Sequence, residues 1–558
     1  MTWIGGIFSK ANMSHDELRR KLAVMTRAAS PTDQPWAVAH SPCMSSILGH
    51  LHGQALAKVF IPIEGTPPEH VHADYRQKPA LIYDGHLYGF KSAGPKLSRA
   101  QHMANEISAE SLARSIAELR GNLEQKVKTT LTGLDGDYAL AVSNTDQIVI
   151  SRNSLGTRPL YFAENNRLSA FASNKKPLWK IGLDEVRPLR AGMLAVLDHE
   201  GVSVRNALPF HKKEIKMKSM AEAVRKYKQA LHLAVLKRSA TMNHVREVGV
   251  LLSGGVDSCL IAKLIRDAAS RLGTDVIAYT AGLPDSPDVK SARESARELG
   301  MRHKIRILTV HEVEEYIPTV IEAIEDSDFV QVETGIGLYA AIDVARQDGI
   351  RVVFSGQGPD ELWGGYNWYP KVLGRDGRQE LCRRMWDDFV RADIETLDRE
   401  NKIAMAHGVE LFFPYLDTEV ANVAMSVASE LKVTSEEDHL GKHPHRRLAM
   451  KMGISEKYAN REKLAIQHGT GIHGVLDNIA KKNGFDLELV SRIGYENEEI
   501  TKEKLGSSAR YGYRYMAKDL WQVPQHIQFF LHSLAYRQRL LNRSVRDRVG
   551  YFLGKATK

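Results

Sequence analysis

The stretch Val248-Gly-Val-Leu-Leu-Ser-Gly-Gly-Val-Asp-Ser258 decides the fold of the larger part of this chain. Its apolar, β-prone run ends at Leu252, and a helical pattern follows from 258 to 268, so the sequence predicts a strand, a tight turn and a helix start. The two glycines let backbone N–H groups face an anion at the helix N-terminus. Asp257 would repel a bare phosphate, but it fits if a divalent cation lies between carboxylate and phosphates. The loop predicts a metal-assisted nucleotide or pyrophosphate site, and a glycine turn that binds nothing is the alternative.

The composition is that of an ordinary soluble globular protein with two or more domains, since 43 % of the 558 residues are hydrophobic and 26 % are charged. Three cysteines, Cys43, Cys259 and Cys382, lie far apart without metal-ligand spacing, which argues against a disulfide framework or a zinc site. This cysteine usage, with no signal peptide or membrane-spanning run, predicts a cytoplasmic protein. The net charge of +9 suits anionic ligands, and nucleic acid is not expected, because most basic residues alternate with acids.

Residues 1–208 are predicted to form a first domain that is mainly β with two helical stretches, one of them over 108–131. Three of its segments are Leu134-Asp-Gly-Asp-Tyr-Ala-Leu-Ala-Val142, Ser151-Arg-Asn-Ser-Leu-Gly-Thr-Arg-Pro-Leu-Tyr161 and Phe171-Ala-Ser-Asn-Lys-Lys-Pro-Leu178. In this order they resemble the class II glutamine amidotransferase domain, an N-terminal-nucleophile αββα sandwich at the front of asparagine synthetases. The resemblance implies the same fold here.

The residues that would perform glutamine hydrolysis match that family poorly. The family uses a cysteine directly after the initiator methionine as its nucleophile, and this chain has Thr2. The family's Asn-Gly-Glu is Asp84-Gly85-His86 here, and a carboxylate would repel an oxyanion. Its Arg-Gly-Pro segment has no clear counterpart between 28 and 40, and Gly49-His50 lacks the following arginine. A threonine glutaminase is one interpretation, and we favour the other, a retained domain whose glutaminase is impaired or lost.

Residues 209–482 are predicted to form a second domain of alternating strands and helices. That alternation predicts a doubly wound parallel sheet with ligands at the carboxyl ends of its strands. A second glycine-rich loop, Ser355-Gly-Gln-Gly-Pro-Asp-Glu-Leu-Trp-Gly-Gly-Tyr366, follows the strand predicted at 350–354. Its Asp360 is a second hard oxygen ligand for Mg²⁺ beside Asp257.

Further segments carry a resemblance to the asparagine synthetases, whose synthetase domain is an ATP pyrophosphatase. The loop at 253–258 resembles their pyrophosphate loop, and Tyr279-Thr-Ala-Gly-Leu-Pro-Asp-Ser-Pro-Asp-Val-Lys-Ser-Ala292 resembles the segment that holds adenine and ribose. Lys442-His-Pro-His-Arg446 and Arg461-Glu-Lys-Leu-Ala-Ile-Gln-His-Gly-Thr-Gly471 resemble two lysine-bearing elements of the family. The similarity covers about residues 1–480.

The resemblance implies a role for individual residues of this chain. ATP or pyrophosphate would be bound by Leu251, Ser253, Gly254, Gly255, Asp257, Ser258, Ala281, Ser355, Gly356 and Lys463. Catalysis would involve Lys442, Asp360, Gln357 and, in the first domain, Thr2, and Asp257 and Asp360 would hold the metal.

Two departures from the family weaken the specific expectation of asparagine as product. Gln357 replaces a glutamate that the family assigns to handling ammonia, and glutamine cannot accept a proton, so either another base serves or ammonia arrives neutral. In the segment Asn401-Lys-Ile-Ala-Met-Ala-His-Gly-Val-Glu410, followed by Pro414-Tyr-Leu-Asp417, the family has an arginine where this chain has Phe412.

Residues 483–558 form a basic extension that is predicted to be largely helical. Arg510-Tyr-Gly-Tyr-Arg-Tyr-Met516 and the helical stretch predicted at 536–543 interleave aromatics with arginines, a pattern that nucleic-acid-binding segments share. A helix that packs an apolar stripe and leaves its arginines in solvent is the interpretation we favour.

The sequence therefore predicts an ATP- and Mg²⁺-dependent ligase that adenylates a carboxylate, most simply aspartate, and amidates it with ammonia. An intramolecular amide synthetase and a non-catalytic nucleotide-binding regulator are the alternatives. The resemblance also allows for a homodimer, because members of the family often dimerise.

Overall fold

The computed structural model describes residues 2–11, 13–29, 46–51, 54–60, 71–72, 79–90, 107–239, 242, 245–495 and 524–557. The chain divides into two compact units, 1–211 with 404–410 and 212–403 with 411–558. The domain boundaries predicted at 208 and 482 stay predictions. Cys43 and the motif at 510–516 lie outside the described residues, and Cys259 and Cys382 are free thiols.

Two antiparallel sheets of six strands each form the body of the first unit. Its strands are β1 (Thr2–Ser9), β2 (Ser46–Leu51), β3 (Gln54–Phe60), β4 (Val71–His72), β5 (Ala80–Phe90), β6 (Leu134–Ser143), β7 (Ile148–Arg152), β8 (Tyr161–Glu164), β9 (Leu168–Ala172), β10 (Arg187–Pro188), β11 (Met193–Asp198) and β12 (Gly201–Asn206). Its helices are His15–Ala29, Ala109–Glu118, Leu123–Gly133 and Lys176–Lys180.

Side chains that alternate along the strands build the layers of this unit. On β1, Ile4 and Phe8 enter the core that both sheets share, whereas Trp3 and Ile7 pack with the helix His15–Ala29. In the second sheet, side chains on one face enter the shared core, and those on the other face pack with the helices Ala109–Glu118 and Leu123–Gly133. The order of layers is therefore helix, sheet, sheet, helix, and it places Thr2 at the start of β1 and Asp84 in the middle of β5.

The second unit is built around parallel strands. They are β13 (Glu247–Leu251), β14 (Asp275–Gly282), β15 (Arg302–Ile307) and β16 (Val352–Phe354), and β17 (Glu410–Phe412) completes the sheet. The helices and 3₁₀ turns are Met220–Ser239, Val256–Ala269, Pro287–Glu298, Val310–Ile324, Phe329–Gln347, Pro359–Trp363, Tyr369–Glu395, Leu397–His407, Pro414–Leu416, Thr418–Met425, Ser429–Leu431, His443–Lys451, Glu456–Ala459, Ile466–Gly469, His473–Lys482, Leu487–Ile493, Gln525–Gln538 and Arg543–Ala556. The last residues of Leu397–His407 belong to the segment 404–410 of the first unit.

The strand order of this sheet, β15-β14-β13-β16-β17, creates a natural binding crevice. β13 pairs in parallel with β14 on one side and with β16 on the other. The chain thus proceeds from β13 in two opposite directions, and ligands bind at the carboxyl ends of strands at such a switch point. The loops at 253–258 and 355–360 begin at this edge.

The predicted fold class is confirmed by these sheets, while two predicted helices are wrong in detail. The helix predicted over 108–131 is interrupted, because Asn122 and Gln125 form a capping box that starts a new helix. The helical stretch predicted over 536–543 is also interrupted: Arg539 has a φ of 60°, and the buried Leu540 and Leu541 turn the chain inward. None of the helices among the described residues has the length and apolar character needed to cross a membrane.

Asp417 connects two helices of the second unit through a buried ion pair. Its carboxylate lies 3.1 Å from Arg238 and 3.3 Å from Lys237, at the end of the helix Met220–Ser239. It also caps the helix Thr418–Met425 by accepting a hydrogen bond from the Glu419 N–H. Burial opposes ionisation, but Lys237 and Arg238 still hold the pKa of Asp417 below its usual range.

We predict that Asp417→Asn lowers the free energy of unfolding by about 3 kcal/mol, because it leaves a buried cation without its partner. The stabilisation is present above the unfolded-state pKa of about 3.9 and is lost as the pH falls below it, so the variant and wild type should converge in acid. Urea titration at several pH values measures this. Glu315→Gln, at a carboxylate that is 66 % exposed, is the control and should change stability by less than about 0.5 kcal/mol. A constant difference between Asp417→Asn and wild type from pH 7 to pH 3 would contradict the role of the charge.

Candidate active site

The loop after β13 is held by its own serines. The Ser253 N–H donates to Ser258 Oγ at 3.2 Å, and Ser258 Oγ donates to the carbonyl of Gly255 at 3.0 Å. Gly254 has a φ of 72°, and a Cβ there would overlap the backbone of Ser291. The helix Val256–Ala269 begins at once, and no side chain caps its first N–H groups. This geometry leaves the N–H groups for an anionic ligand.

Two carboxylates, Asp257 and Asp360, share one ammonium group at this edge of the sheet. Lys442 Nζ lies 2.6 Å from Asp257 Oδ2 and 2.7 Å from Asp360 Oδ1. Lys442 and Asp360 are buried, and the Asp257 side chain is 16 % exposed. Their oxygens therefore converge on a single position where a cation is stable.

Two lysines and a histidine keep both carboxylates ionised. Burial alone would raise their pKa values, but Lys442 and His445 hold the pKa of Asp257 well below its usual range. His445 Nε2 lies 3.0 Å from Asp257 Oδ1. Lys442 and Lys463 likewise lower the pKa of Asp360, and Lys463 Nζ lies 2.9 Å from Asp360 Oδ2. The two carboxylates therefore stay charged and do not exchange protons near neutral pH.

The backbone of Lys442 is strained to reach this position. Its φ is 54°, in the left-handed region that glycine prefers, at the residue before the helix His443–Lys451. Gly365 gives the side chain its passage, because a Cβ at this residue would overlap both Lys442 Cε and the Asp360 carboxylate. Strain of this kind is found where function needs a residue in one place.

A cavity of about 120 Å³ lies beside the cluster. The predicted site residues that line it are Leu251, Ser253, Asp257, Ser258, Ala281, Ser355, Gly356, Gln357, Asp360 and Lys463. Gly254 and Gly255 shape the loop. Lys442 contacts both carboxylates but does not line the cavity. The structure thus brings the predicted residues of the second unit together.

Several residues of the site carry no role in the sequence analysis. Arg461 donates to the carbonyl of Ser253 at 2.8 Å and pairs with Asp288 at 2.9 Å, which ties the segment 461–471 to the glycine loop. Tyr415 donates to the carbonyl of Asp257 at 2.9 Å. Glu400 lines the cavity although it is fully buried. His445 and Arg461 stand inside motifs that the sequence analysis quotes, whereas Glu400 stands in none.

A second cavity of about 410 Å³ shares Gln357, Asp360, Lys463 and Ile466 with the first. Its walls carry charge of both signs. Arg384 pairs with Asp388 at 3.0 Å, and Arg391 pairs with Glu395 at 3.1 Å. A polar compound that occupied this space would meet the cluster at the shared residues.

The first unit has a separate buried charge cluster. Glu410 forms an ion pair with Arg158 and lies 3.2 Å from His86 Nε2. Glu410 and Asp84 both raise the pKa of Arg158, although burial opposes this. Asp84 itself is buried in β5. The residues that replace the amidotransferase pattern at 84–86 are therefore held in a network of charges.

Comparison with known proteins gives matches in both parts of the chain. The family model described as asparagine synthase matches residues 226–393 and 374–532, more than half of the chain together. The model described as a glutamine amidotransferase domain matches residues 67–180.

Relatives over most of the chain carry related names. A putative glutamine-hydrolysing asparagine synthetase of Methanocaldococcus jannaschii is 31 % identical over 65 % of this chain and 74 % of its own length. Glutamine-hydrolysing asparagine synthetases of Arabidopsis thaliana and Homo sapiens are 29 % and 27 % identical over 63 % of this chain, and the alignments span 60 % and 65 % of their lengths. The chain therefore belongs to the asparagine synthase family of carbon–nitrogen ligases.

Proposed function

We propose that this chain uses ATP to adenylate a carboxylate, most simply the side chain of aspartate, and then amidates it with ammonia to give asparagine and AMP. The observation that carries the proposal is the placement of Lys442 between Asp257 and Asp360 beside an open glycine loop. A passive nucleotide binder has little reason to keep two carboxylates and a strained lysine at one point.

Residues of the cluster and of the glycine loop each contribute to the first step, the adenylation of the carboxylate. The acceptor carboxylate attacks the α-phosphorus, the bond to the β-phosphate breaks, and pyrophosphate leaves. The N–H groups after Gly255 and the hydroxyls of Ser253 and Ser258 hold the phosphates. Lys442 and Lys463 stabilise the negative charge that spreads onto the leaving group.

The two carboxylates fit a magnesium ion. They present oxygen atoms, the ligands that Mg²⁺ prefers, and their oxygens already converge on a cation, the ammonium of Lys442. Among the described residues, no group of three or more His, Cys, Asp or Glu side chains could hold a metal ion. Mg²⁺ usually binds one or two carboxylates together with phosphates and water. When bound by Asp257 and Asp360, the ion would neutralise phosphate charge.

We further propose that the glutaminase half is impaired. Thr2 lies at the start of β1, where the family has its cysteine, and the buried carboxylate of Asp84 occupies the position of an oxyanion donor. The Arg158–Glu410 pair and His86 fix this altered pattern.

The larger cavity favours a second candidate function, an intramolecular amide synthetase. Its volume of about 410 Å³ falls in the range of pockets that hold drug-sized ligands, which are larger than aspartate. The replacement of the family's arginine by Phe412 agrees with a different acceptor.

A product assay by mass decides between these functions. With ATP, aspartate and ammonium we expect asparagine and AMP, and with glutamine in place of ammonium we expect little or none. Thr2→Ala should leave the ammonium reaction unchanged. Glutamine-dependent asparagine that disappears in Thr2→Ala would contradict the impaired glutaminase, and absence of asparagine with a working exchange of pyrophosphate for another acceptor would favour the second candidate.

We predict that Lys463→Met slows aspartate-dependent exchange of pyrophosphate into ATP by about 100-fold, since it removes a positioned charge from the leaving group. Lys457→Met is the matched control, because that lysine is 65 % exposed and pairs with Glu294 at the surface. It should stay within about twofold of wild type. Equal rates for both variants would show that Lys463 does not meet the phosphates.

We predict that Gly254→Ala abolishes ATP binding, because its Cβ would displace the backbone of Ser291 and open the loop. Gly273→Ala is the control, since Gly273 also has a positive φ, 70°, but nothing lies within 4 Å of its Cβ position. The control should lose about 1 kcal/mol of stability and keep its ATP affinity. Calorimetric titration with ATP measures both, and unchanged affinity in Gly254→Ala would contradict the loop's role.

A further inference from the structure

Glu400 is a buried carboxylate at the cavity wall that has no place in the mechanism so far. It stands on the helix Leu397–His407 and is 0 % exposed, yet it lines the cavity with Ser355 and Gln357. Its Oε2 accepts a hydrogen bond from Ser355 Oγ at 3.1 Å. Its Oε1 has no hydrogen-bond partner among the residues that the structure describes. A buried oxygen without a partner is costly unless a ligand meets it.

Two cations, Arg399 and Lys463, lie near Glu400. Arg399 NH2 lies 3.7 Å from Oε1, beyond hydrogen-bond distance. Lys463 lines the same cavity, and Gln357, on the loop after β16, interacts with Glu400. Burial raises the pKa of Glu400 to about 7, against the opposing effects of Arg399, Ser355, Gln357 and Lys463. A carboxylate with this pKa can exchange protons at neutral pH.

Gln357 connects this carboxylate to the reaction. It lines both cavities, so it lies where an acyl-adenylate and an incoming amine would meet. At this position the family has a glutamate assigned to handling ammonia, and the amide of Gln357 cannot take up a proton. Glu400 lines the smaller cavity with Gln357, and the two side chains interact.

We propose that Glu400, reaching the cavity from a neighbouring helix, is the general base of the amidation step in place of the residue at 357. The nitrogen lone pair forms the bond to the acyl carbon, the bond from that carbon to the AMP oxygen breaks, and its electron pair leaves with AMP. One N–H proton moves from the attacking nitrogen to Glu400 Oε1. This role rests on the proposed function, because it needs an acyl-adenylate.

The test separates the two half-reactions in the full-length protein. Adenylation is measured as aspartate-dependent pyrophosphate exchange, and amidation as hydroxamate formation with hydroxylamine, an amine already unprotonated at neutral pH. Glu400→Gln should slow amidation by about 100-fold and exchange by less than threefold. Because the base works only when ionised, wild-type amidation should fall as the pH drops below about 7, and Glu400→Gln should lack this limb.

Two further variants keep the test decisive if Glu400→Gln is unstable. Glu400→Asp keeps the carboxylate, and Gln357→Glu in the Glu400→Gln background restores one beside it, so both should recover part of the amidation rate and the pH limb. Glu333→Gln is the matched control, since Glu333 is also 0 % exposed with a pKa raised by burial to about 7, but pairs with His473 and lines neither cavity. It should leave the ratio of the two half-reactions unchanged.

The outcomes distinguish this inference from the function on which it rests. Equal losses of exchange and amidation in Glu400→Gln, or an unchanged pH profile, would overturn the role of Glu400 alone. A wild-type protein that neither exchanges pyrophosphate nor forms hydroxamate would overturn both.

Discussion

The second unit depends on one interaction, the ammonium of Lys442 held between the carboxylates of Asp257 and Asp360. Two carboxylates that contact the same ammonium group repel each other, and the fold tolerates them because that cation lies between them. The strained backbone of Lys442 costs about 1 kcal/mol, and Gly365 lacks the Cβ that would block the side chain. The strained backbone and the glycine are both explained if these charges must be in place before a triphosphate binds.

Two tyrosines, Tyr227 and Tyr415, help to hold this arrangement in place. Tyr227, on the helix Met220–Ser239, bonds His445 Nδ1 at 2.8 Å, and the other ring nitrogen of His445 faces Asp257. Tyr415 holds the carbonyl of Asp257. Burial lowers the pKa of His445, so its ring stays neutral at physiological pH and can orient the carboxylate without adding a full charge. The helix that precedes β13 therefore contributes to the site without touching the cavity.

The sequence predicted those parts of the site that are local. Asp257 and Asp360 follow buried strands within glycine-rich loops, and parallel strands bring such loops to one edge, so spacing and topology suffice. Lys442 lies 185 residues beyond Asp257, and only a family resemblance places it there. The interruption at Asn122 is invisible to apolar periodicity, because the capping box breaks the helix without breaking the pattern. The pair of Arg158 with Glu410 spans 252 residues and needs the folded chain to be seen.

Glu400 was missed for the same reason, and its proposed role accounts for the substitution at 357. Its position next to Arg399 and Asn401 looks like an ordinary solvated helix face in the sequence, and only the fold buries it against Ser355. A glutamate at 357 would put a second carboxylate beside it at the wall of a small cavity, and two such groups cannot both ionise at low cost. One carboxylate and one amide satisfy the site. In the role proposed for Glu400, Gln357 leaves a single carboxylate at this wall, and the change from the family pattern places the base on another helix.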